Sequence, residues 1–261
     1  MIGLFLGDTD FSEIVLKKIK RLNKKYFIID FSKNNKFKKD KDSHRVSIGK
    51  FGKIINLIKK NKSKKVLFAG KIAKPKFSTL RLDLKGIYYM PSVIKAAKSG
   101  DAAIIKAIIK ILENENIKVI SSNFFNPELS LKTGNYTKLK ANAGDINSIK
   151  KGISYFNQLN SLDHIQALIV KNNKIIASEG NQGTQKMLSK LKKASGGILI
   201  KLPKKKQDLR MDLPTIGLNT LKDCKRYGLI GIVLKSNKNI FLDKSKSINF
   251  ANKNKIFIKV I

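Results

Sequence analysis

The chain has 261 residues, with 55 Lys and Arg against 18 Asp and Glu, for a formal net charge of +37. That length suffices for two modest domains, and 42% hydrophobic with 28% charged content is that of a globular chain rather than a disordered one. No apolar run approaches the roughly 20 residues of a membrane span, and the single cysteine, Cys224, leaves no intramolecular disulfide and fits a reducing compartment.

In chain order, residues 2–6 and 26–31 read as buried strands around a helix over 12–24. Ser12 is the expected cap, with Ile14, Leu16, Ile19 and Leu22 spaced for one face. The first apolar run stops at Gly7 and Asp8 without a basic leader or cleavage region, which points to the cytoplasm. Gly7-Asp8-Thr9-Asp10 stands where parallel sheets place ligand loops, but it is not a G-x-G-x-x-G fingerprint. His44 lies in a charged, loop-like stretch with no metal-ligand spacing around it. A helix over 51–60, a strand over 65–69, a helix over 102–115 and a strand over 117–120 then predict a parallel sheet with crossover helices.

After Asn126-Pro127 the texture changes, and residues 132–144, rich in Gly, Asn, Lys and Thr, are expected to cross the surface. The preferred division is an N-terminal Rossmann-like parallel-sheet domain over 1–128 and a C-terminal mixed α/β domain over 129–261. The second part opens with a helix over 146–159. Hairpins are expected for 164–170 with 174–177 around Asn172-Asn173, and for 231–235 with 239–242, followed by a strand over 256–260. Glu179-Gly180-Asn181-Gln182-Gly183-Thr184-Gln185 precedes a helical run with Met187, Leu188 and Leu191. Thr184 as its cap would direct backbone N–H groups at an anion, and a plain capped turn explains it equally well.

The most informative stretch is 196–217. Leu209, Met211 and Leu213 alternate with Asp208, Arg210 and Asp212, as on an extended segment with one buried and one charged face. Lys201, Lys204, Lys205 and Lys206 stand upstream, and cations beside spaced carboxylates suit metal-assisted phosphoryl chemistry. On a straight strand, Asp208 and Asp212 would stand about 13 Å apart, too far to share one ion. Either the chain bends there or one of them binds metal alone, while the simplest alternative is that Arg210 pairs with its neighbours at i−2 and i+2.

This order resembles the LpxI family of UDP-2,3-diacylglucosamine pyrophosphatases of lipid A biosynthesis, whose C-terminal domain carries GGVLVK…K-P-x-Q-D-x-R-x-D-L-P-x-x-G. The matching residues are Gly196, Gly197, Lys201, Lys204, Gln207, Asp208, Arg210, Asp212, Leu213, Pro214 and Gly217, with Lys205 where the family usually has proline. Gly228-Leu229-Ile230-Gly231-Ile232 is similar to the family's GLAGI, Asp163-His164-Ile165-Gln166 to its D-x-G-Q, and Gly70-Lys71-Ile72-Ala73-Lys74-Pro75 to its GKVRRP. Three family acids are missing: G-D-D appears as Gly100-Asp101-Ala102, and E-G-T-D as Gln182-Gly183-Thr184-Gln185. A glutamine offers a neutral oxygen to a cation but brings no charge and no base.

The resemblance implies a hydrolase that converts UDP-2,3-diacylglucosamine to UMP and 2,3-diacylglucosamine 1-phosphate, with Mg2+ or another divalent cation and water attacking the phosphorus nearer the sugar. It implies catalytic roles for Asp208, Arg210 and Asp212, and metal or supporting acids at Asp208, Asp212, Asp101 and Glu179. Lys201, Lys204, Gln207, Gly183, Thr184, Thr215 and Lys71 would face the substrate. Two rivals are a relative that binds lipid or nucleotide without turnover, given Ala102, Gln182 and Gln185, and a basic nucleic-acid-binding protein.

The positive charge is mostly lysine, with arginine only at Arg21, Arg45, Arg81, Arg210 and Arg226, so a specific nucleic-acid partner is not expected. Salt-sensitive attraction to an anionic inner-membrane surface follows from lysine charge, giving an expected peripheral location. Whether chains form homo-oligomers is left open by the sequence.

Overall fold

The computed structural model describes residues 1–159, 165–180, 183–191, 196–204 and 208–261. It divides into two compact units, one comprising Met1–Pro127 with Asp208–Asp212, the other Glu128–Gln207 with Leu213–Ile261.

The first unit contains strands β1 (Ile2–Leu6), β2 (Tyr26–Asp30), β3 (Ser43–Arg45), β4 (Lys65–Ala69) and β5 (Lys118–Ile120), and helices α1 (Asp10–Arg21), α2 (Phe51–Lys60), α3 (Leu84–Lys98) and α4 (Asp101–Asn114). The strands form one five-stranded sheet in the order β3-β2-β1-β4-β5, with every pair parallel. Near-continuous apolar runs such as Leu4, Phe5 and Leu6 or Phe27, Ile28 and Ile29 are buried, as strands covered on both faces require. The strand order reverses between β1 and β4, and the loops that leave these two strands lie together. Gly7 N donates to Ala69 O at 2.9 Å and Asp8 N to Lys71 O at 2.7 Å. A Cβ on Gly7 would stand 2.3 Å from Lys71 O, so only glycine permits the approach.

Some local expectations fail for physical reasons. Ser12 does not cap α1, which follows Thr9; its hydroxyl is buried within 2.8 Å of Gly7 O and 2.9 Å of Ala69 O, tying the helix to the two loops. The buried face of α1 is therefore Phe11, Ser12, Val15, Leu16 and Ile19, whereas Ile14 is half-buried and Leu22 exposed. His44 lies on β3 opposite Ile29 rather than in a loop. Helix α3 carries Pro91 in its interior and has no expectation behind it; it starts because Asp83 caps it, accepting from Gly86 N at 2.8 Å. The same carboxylate accepts from Gly52 N and Lys53 N of α2, so one residue fixes two helix starts.

The second unit contains β6 (Gly134–Asn135), α5 (Ala143–Gln158), β7 (Ala167–Lys171), β8 (Lys174–Ser178), α6 (Gly183–Ser189), β9 (Gly197–Lys201), β10 (Thr215–Ile216), α7 (Leu218–Arg226), β11 (Leu229–Leu234), β12 (Ile240–Phe241), α8 (Lys244–Lys253) and β13 (Phe257–Val260). Its main sheet, in the order β6-β13-β11-β9-β7-β8, is mixed: β9, β11 and β13 run parallel, and β7 is antiparallel to β8 and β9. The β7–β8 hairpin forms because Asn172 and Asn173 both adopt positive φ, the requirement of a tight primed turn. The other expected hairpin does not form; β12 pairs in parallel with β10 in a separate small sheet. Buried Asn239 redirects the chain, its amide bonding Leu131 N, Leu131 O and Lys235 O. The glycines around β11 are structural: Gly228 takes φ +73 after α7, and a Cβ on Gly231 would stand 2.1 Å from the Phe257 ring.

In the first unit Glu115 gathers three donors, Lys59 Nζ at 3.0 Å, Tyr89 Oη at 2.8 Å and Lys85 Nζ. Burial opposes its charge, but the three hydrogen bonds outweigh burial and lower its carboxyl from 4.5 to about 2. Because the folded value lies below the unfolded one, this stabilisation is complete above the ordinary carboxylate range and is lost as pH falls toward about 2. Glu115→Gln is expected to cost about 1–3 kcal/mol near neutral pH, with the deficit shrinking as the solution is acidified through that window. Urea unfolding of both proteins across pH checks it, and a deficit independent of pH would remove the ionised carboxylate as the cause.

Candidate functional site

The charged stretch is a turn, not an extended strand. Met211 N and Asp212 N both donate to the Asp208 carbonyl, at 3.2 and 3.1 Å. Arg210 is the cause: its backbone N–H and Nε reach Asp208 Oδ1 at 3.0 Å each, and its Nη2 reaches Oδ2 at 2.8 Å. The Arg210 N–H on the Asp208 carboxylate closes an Asx turn, which bends the backbone locally, and the guanidinium fork holds that carboxylate in place. The bend removes the length objection, since residues four apart on such a turn have Cβ atoms about 6 Å apart.

The turn belongs to the first unit, although β9 before it and β10 after it belong to the second. Arg210 Nη1 donates to Glu113 Oε1 of α4 at 2.7 Å, and Ser122 N, just beyond β5, donates to Arg210 O at 2.8 Å. Met211 packs against that unit's core. The Arg210 side chain holds the Asp208 carboxyl below the usual carboxylate range against the effect of burial, helped by the Arg210 N–H and the charge of Lys106. Arg210 in turn is raised by Asp208 and Glu113. Glu113 and Lys106 were missed from the sequence, because single charges on an amphipathic helix read as a solvated face.

Among the other candidates in the first unit, Asp101 is the exposed first residue of α4, and Lys71 is exposed just after β4. Ala102 follows on α4, half-buried. In the second unit, Lys201 Nζ donates to Thr215 O at 3.2 Å, which brings those two together. Lys204 is half-buried beyond β9. Glu179 is buried, accepting from Gln166 N at 3.1 Å and from the Thr184 hydroxyl at 2.7 Å. Thr184 is therefore not the cap of α6; the helix begins at Gly183, which has φ +84, and the hydroxyl is spent on Glu179. Gln185 is exposed on α6. Gln182, Gln207, Lys205, Lys206, Asp163 and His164 lie outside the described residues.

Among the described residues, no three His, Cys, Asp or Glu side chains gather as a metal-binding group. Both Asp208 oxygens face Arg210 and both Glu179 oxygens accept protein donors. Among the described residues, the acids implied by the resemblance thus do not gather into an all-protein cage for magnesium. Cys224 is fully buried, which pushes its thiol up and away from nucleophilic use.

Fold and turn together define a two-unit α/β protein with a carboxylate–arginine turn seated on the parallel-sheet unit. Residues 1–129 match the LpxI N-terminal domain model and residues 132–259 the LpxI C-terminal domain model. Over 223 residues the chain is 30% identical to UDP-2,3-diacylglucosamine pyrophosphatase LpxI of Caulobacter vibrioides, covering 82% of this chain and 80% of that protein. The chain belongs to the LpxI family.

The two partners of Arg210 differ in worth. Asp208 meets it in a bidentate fork, while Glu113 is half exposed and screened by water. Double-mutant cycles with alanine are expected to give a coupling of about 1 kcal/mol for Asp208–Arg210 and a few tenths for Arg210–Glu113. Equal couplings would mean that the fork contributes nothing beyond ordinary surface charge.

Proposed function

We propose that the chain hydrolyses the pyrophosphate of UDP-2,3-diacylglucosamine, releasing UMP and 2,3-diacylglucosamine 1-phosphate. The observation that carries the reading is the Asp208–Arg210–Asp212 turn, in a chain of the LpxI family whose Caulobacter vibrioides relative bears that activity in its name. A guanidinium pre-aimed by two carboxylates resists reorientation and offsets charge that develops on a phosphoryl oxygen. Asp208, forked onto Arg210, acts as a positioning residue, and Asp212, whose backbone N–H closes the same turn on the Asp208 carbonyl, orients the attacking water in this reading. Lys71, in the same unit as the turn, offsets further phosphate charge. Water oxygen bonds to the phosphorus nearer the sugar, the bond from that phosphorus to the bridging oxygen breaks, and UMP leaves with the bridging oxygen.

Magnesium stays an implication of the resemblance, and it enters most simply with the substrate's own phosphates, the usual arrangement for an ion that keeps few protein ligands. EDTA is then expected to abolish hydrolysis and excess Mg2+ to restore it, with no change in melting temperature. A chelator-sensitive melting temperature would contradict substrate-borne magnesium.

Purified protein incubated with the lipid nucleotide in H2 18O is expected to place the label in the lipid phosphate. Asp212→Ala should lower turnover by about 10²–10⁴-fold in protein that still unfolds cooperatively. Gln182→Glu with Gln185→Asp is expected to raise activity, because it restores the family's acids. Label in UMP would reverse the site of attack. Saturable binding without turnover, even after the double restoration, would support the ligand-binding alternative.

A further inference from the structure

Helix α3 is tightly held on one side and bare on the other. Inward, Gly86, Met90 and Val93 are buried, Asp83 caps the first turn, and Lys85 and Tyr89 bond Glu115. Outward, Leu84 is 86% exposed, Tyr88 77% and Ile87 60%. At 100° per residue these three share a face with exposed Pro91, and the same face continues into exposed Lys95 and Lys98. Isolated exposed leucines need no explanation, but an apolar stripe on consecutive turns of a fixed helix does.

Charge decides what covers it. Between residues 74 and 98 stand Lys74, Lys76, Arg81, Lys95 and Lys98, besides Lys85, which is spent inward on Glu115, against the single acid Asp83. Asp83 is turned inward, accepting from three backbone N–H groups. A second copy of the chain would bring the same basic rim, and a net charge of +37, against its like. An anionic leaflet attracts that rim and accepts the apolar stripe. No helix among the described residues is long and apolar enough to cross a membrane, so α3 can only lie in the interface.

We propose that α3 is a membrane-docking helix, with Leu84, Ile87, Tyr88 and Pro91 entering the headgroup region of an anionic phospholipid bilayer and Lys95 and Lys98 meeting lipid phosphates. This adds an apolar, salt-resistant anchor to the screened attraction of the lysines. It stands on the exposed face, not on the hydrolase reading, and is measured without turnover.

The chain contains no tryptophan, so Tyr88→Trp places a single reporter on the stripe. In the 261-residue chain its emission is expected to shift to the blue on phosphatidylglycerol–phosphatidylcholine vesicles and to be quenched by brominated acyl chains. At high salt, wild-type protein should keep measurable vesicle binding, and Leu84→Ser with Ile87→Ser should weaken it about tenfold or more. The melting temperature of that variant should hold, since both side chains are exposed. Co-sedimentation without a blue shift, or equal binding by the serine variant, would place docking elsewhere on the surface. No vesicle binding at any salt would overturn the proposal. So would emission already blue-shifted in a concentration-dependent manner without vesicles, which would make the stripe a contact between copies of the chain.

Discussion

Carboxylates are scarce in this chain, 18 against 55 cations, and those at structural joints each serve several partners. Glu115 collects Lys59, Lys85 and Tyr89 from two helices. Asp83 starts α3 while gripping the first turn of α2. Asp30, fully buried at the end of β2, accepts from Ser32 and Phe37 and pairs with Arg45 of β3. Asp40 joins Lys20 of α1 to Tyr26 of β2. With a large positive excess the compact state repels itself. These four anions sit where donors and cations from different elements converge.

The same economy shapes the candidate site. Arg210 is a cation in a molecule full of cations, yet it differs from the lysines because a planar fork can be fixed by one carboxylate. Asp208 fixes it, and the turn that Asp208 also closes with the Arg210 N–H brings the segment onto α4 and the residues after β5. Met211 then has a core to enter. A lysine at 210 would keep the charge and lose the geometry. Glu179 works in the same manner in the second unit, joining Gln166 to Thr184.

Helix α3 shows the converse. Its inner face is over-determined by Asp83, Glu115 and the core, so its outer face is free of any folding duty and is still apolar. Family motif positions divide along a similar line. Gly228 and Gly231 answer to helix termination and to the Phe257 ring, which are packing demands. Asp208 and Arg210 instead answer to each other and to Glu113, by charge rather than by packing.

The parallel sheet was legible because β1, β2 and β4 are short continuous apolar runs separated by amphipathic helices, a pattern with few alternative folds. The β7–β8 hairpin was legible from Asn172-Asn173, since adjacent residues that tolerate positive φ encode a turn locally. Helix α3 was hidden by Pro91 and by its outward apolar residues, which blur the helical period. The β11–β12 hairpin was misjudged because Asn239 answers to Leu131, more than a hundred residues away. The alternation at 208–213 is genuinely that of a strand, and Asp208 and Arg210 at i and i+2 are compatible with one. By itself the sequence determined the α/β class, the family and the charged triplet, because these depend on local periodicity and residue order. Only the tertiary structure decided that the triplet is a turn, that Glu113 and Lys106 attend it, and that it belongs to the first unit, because hydrogen bonds and packing between distant segments leave no periodic trace in the chain.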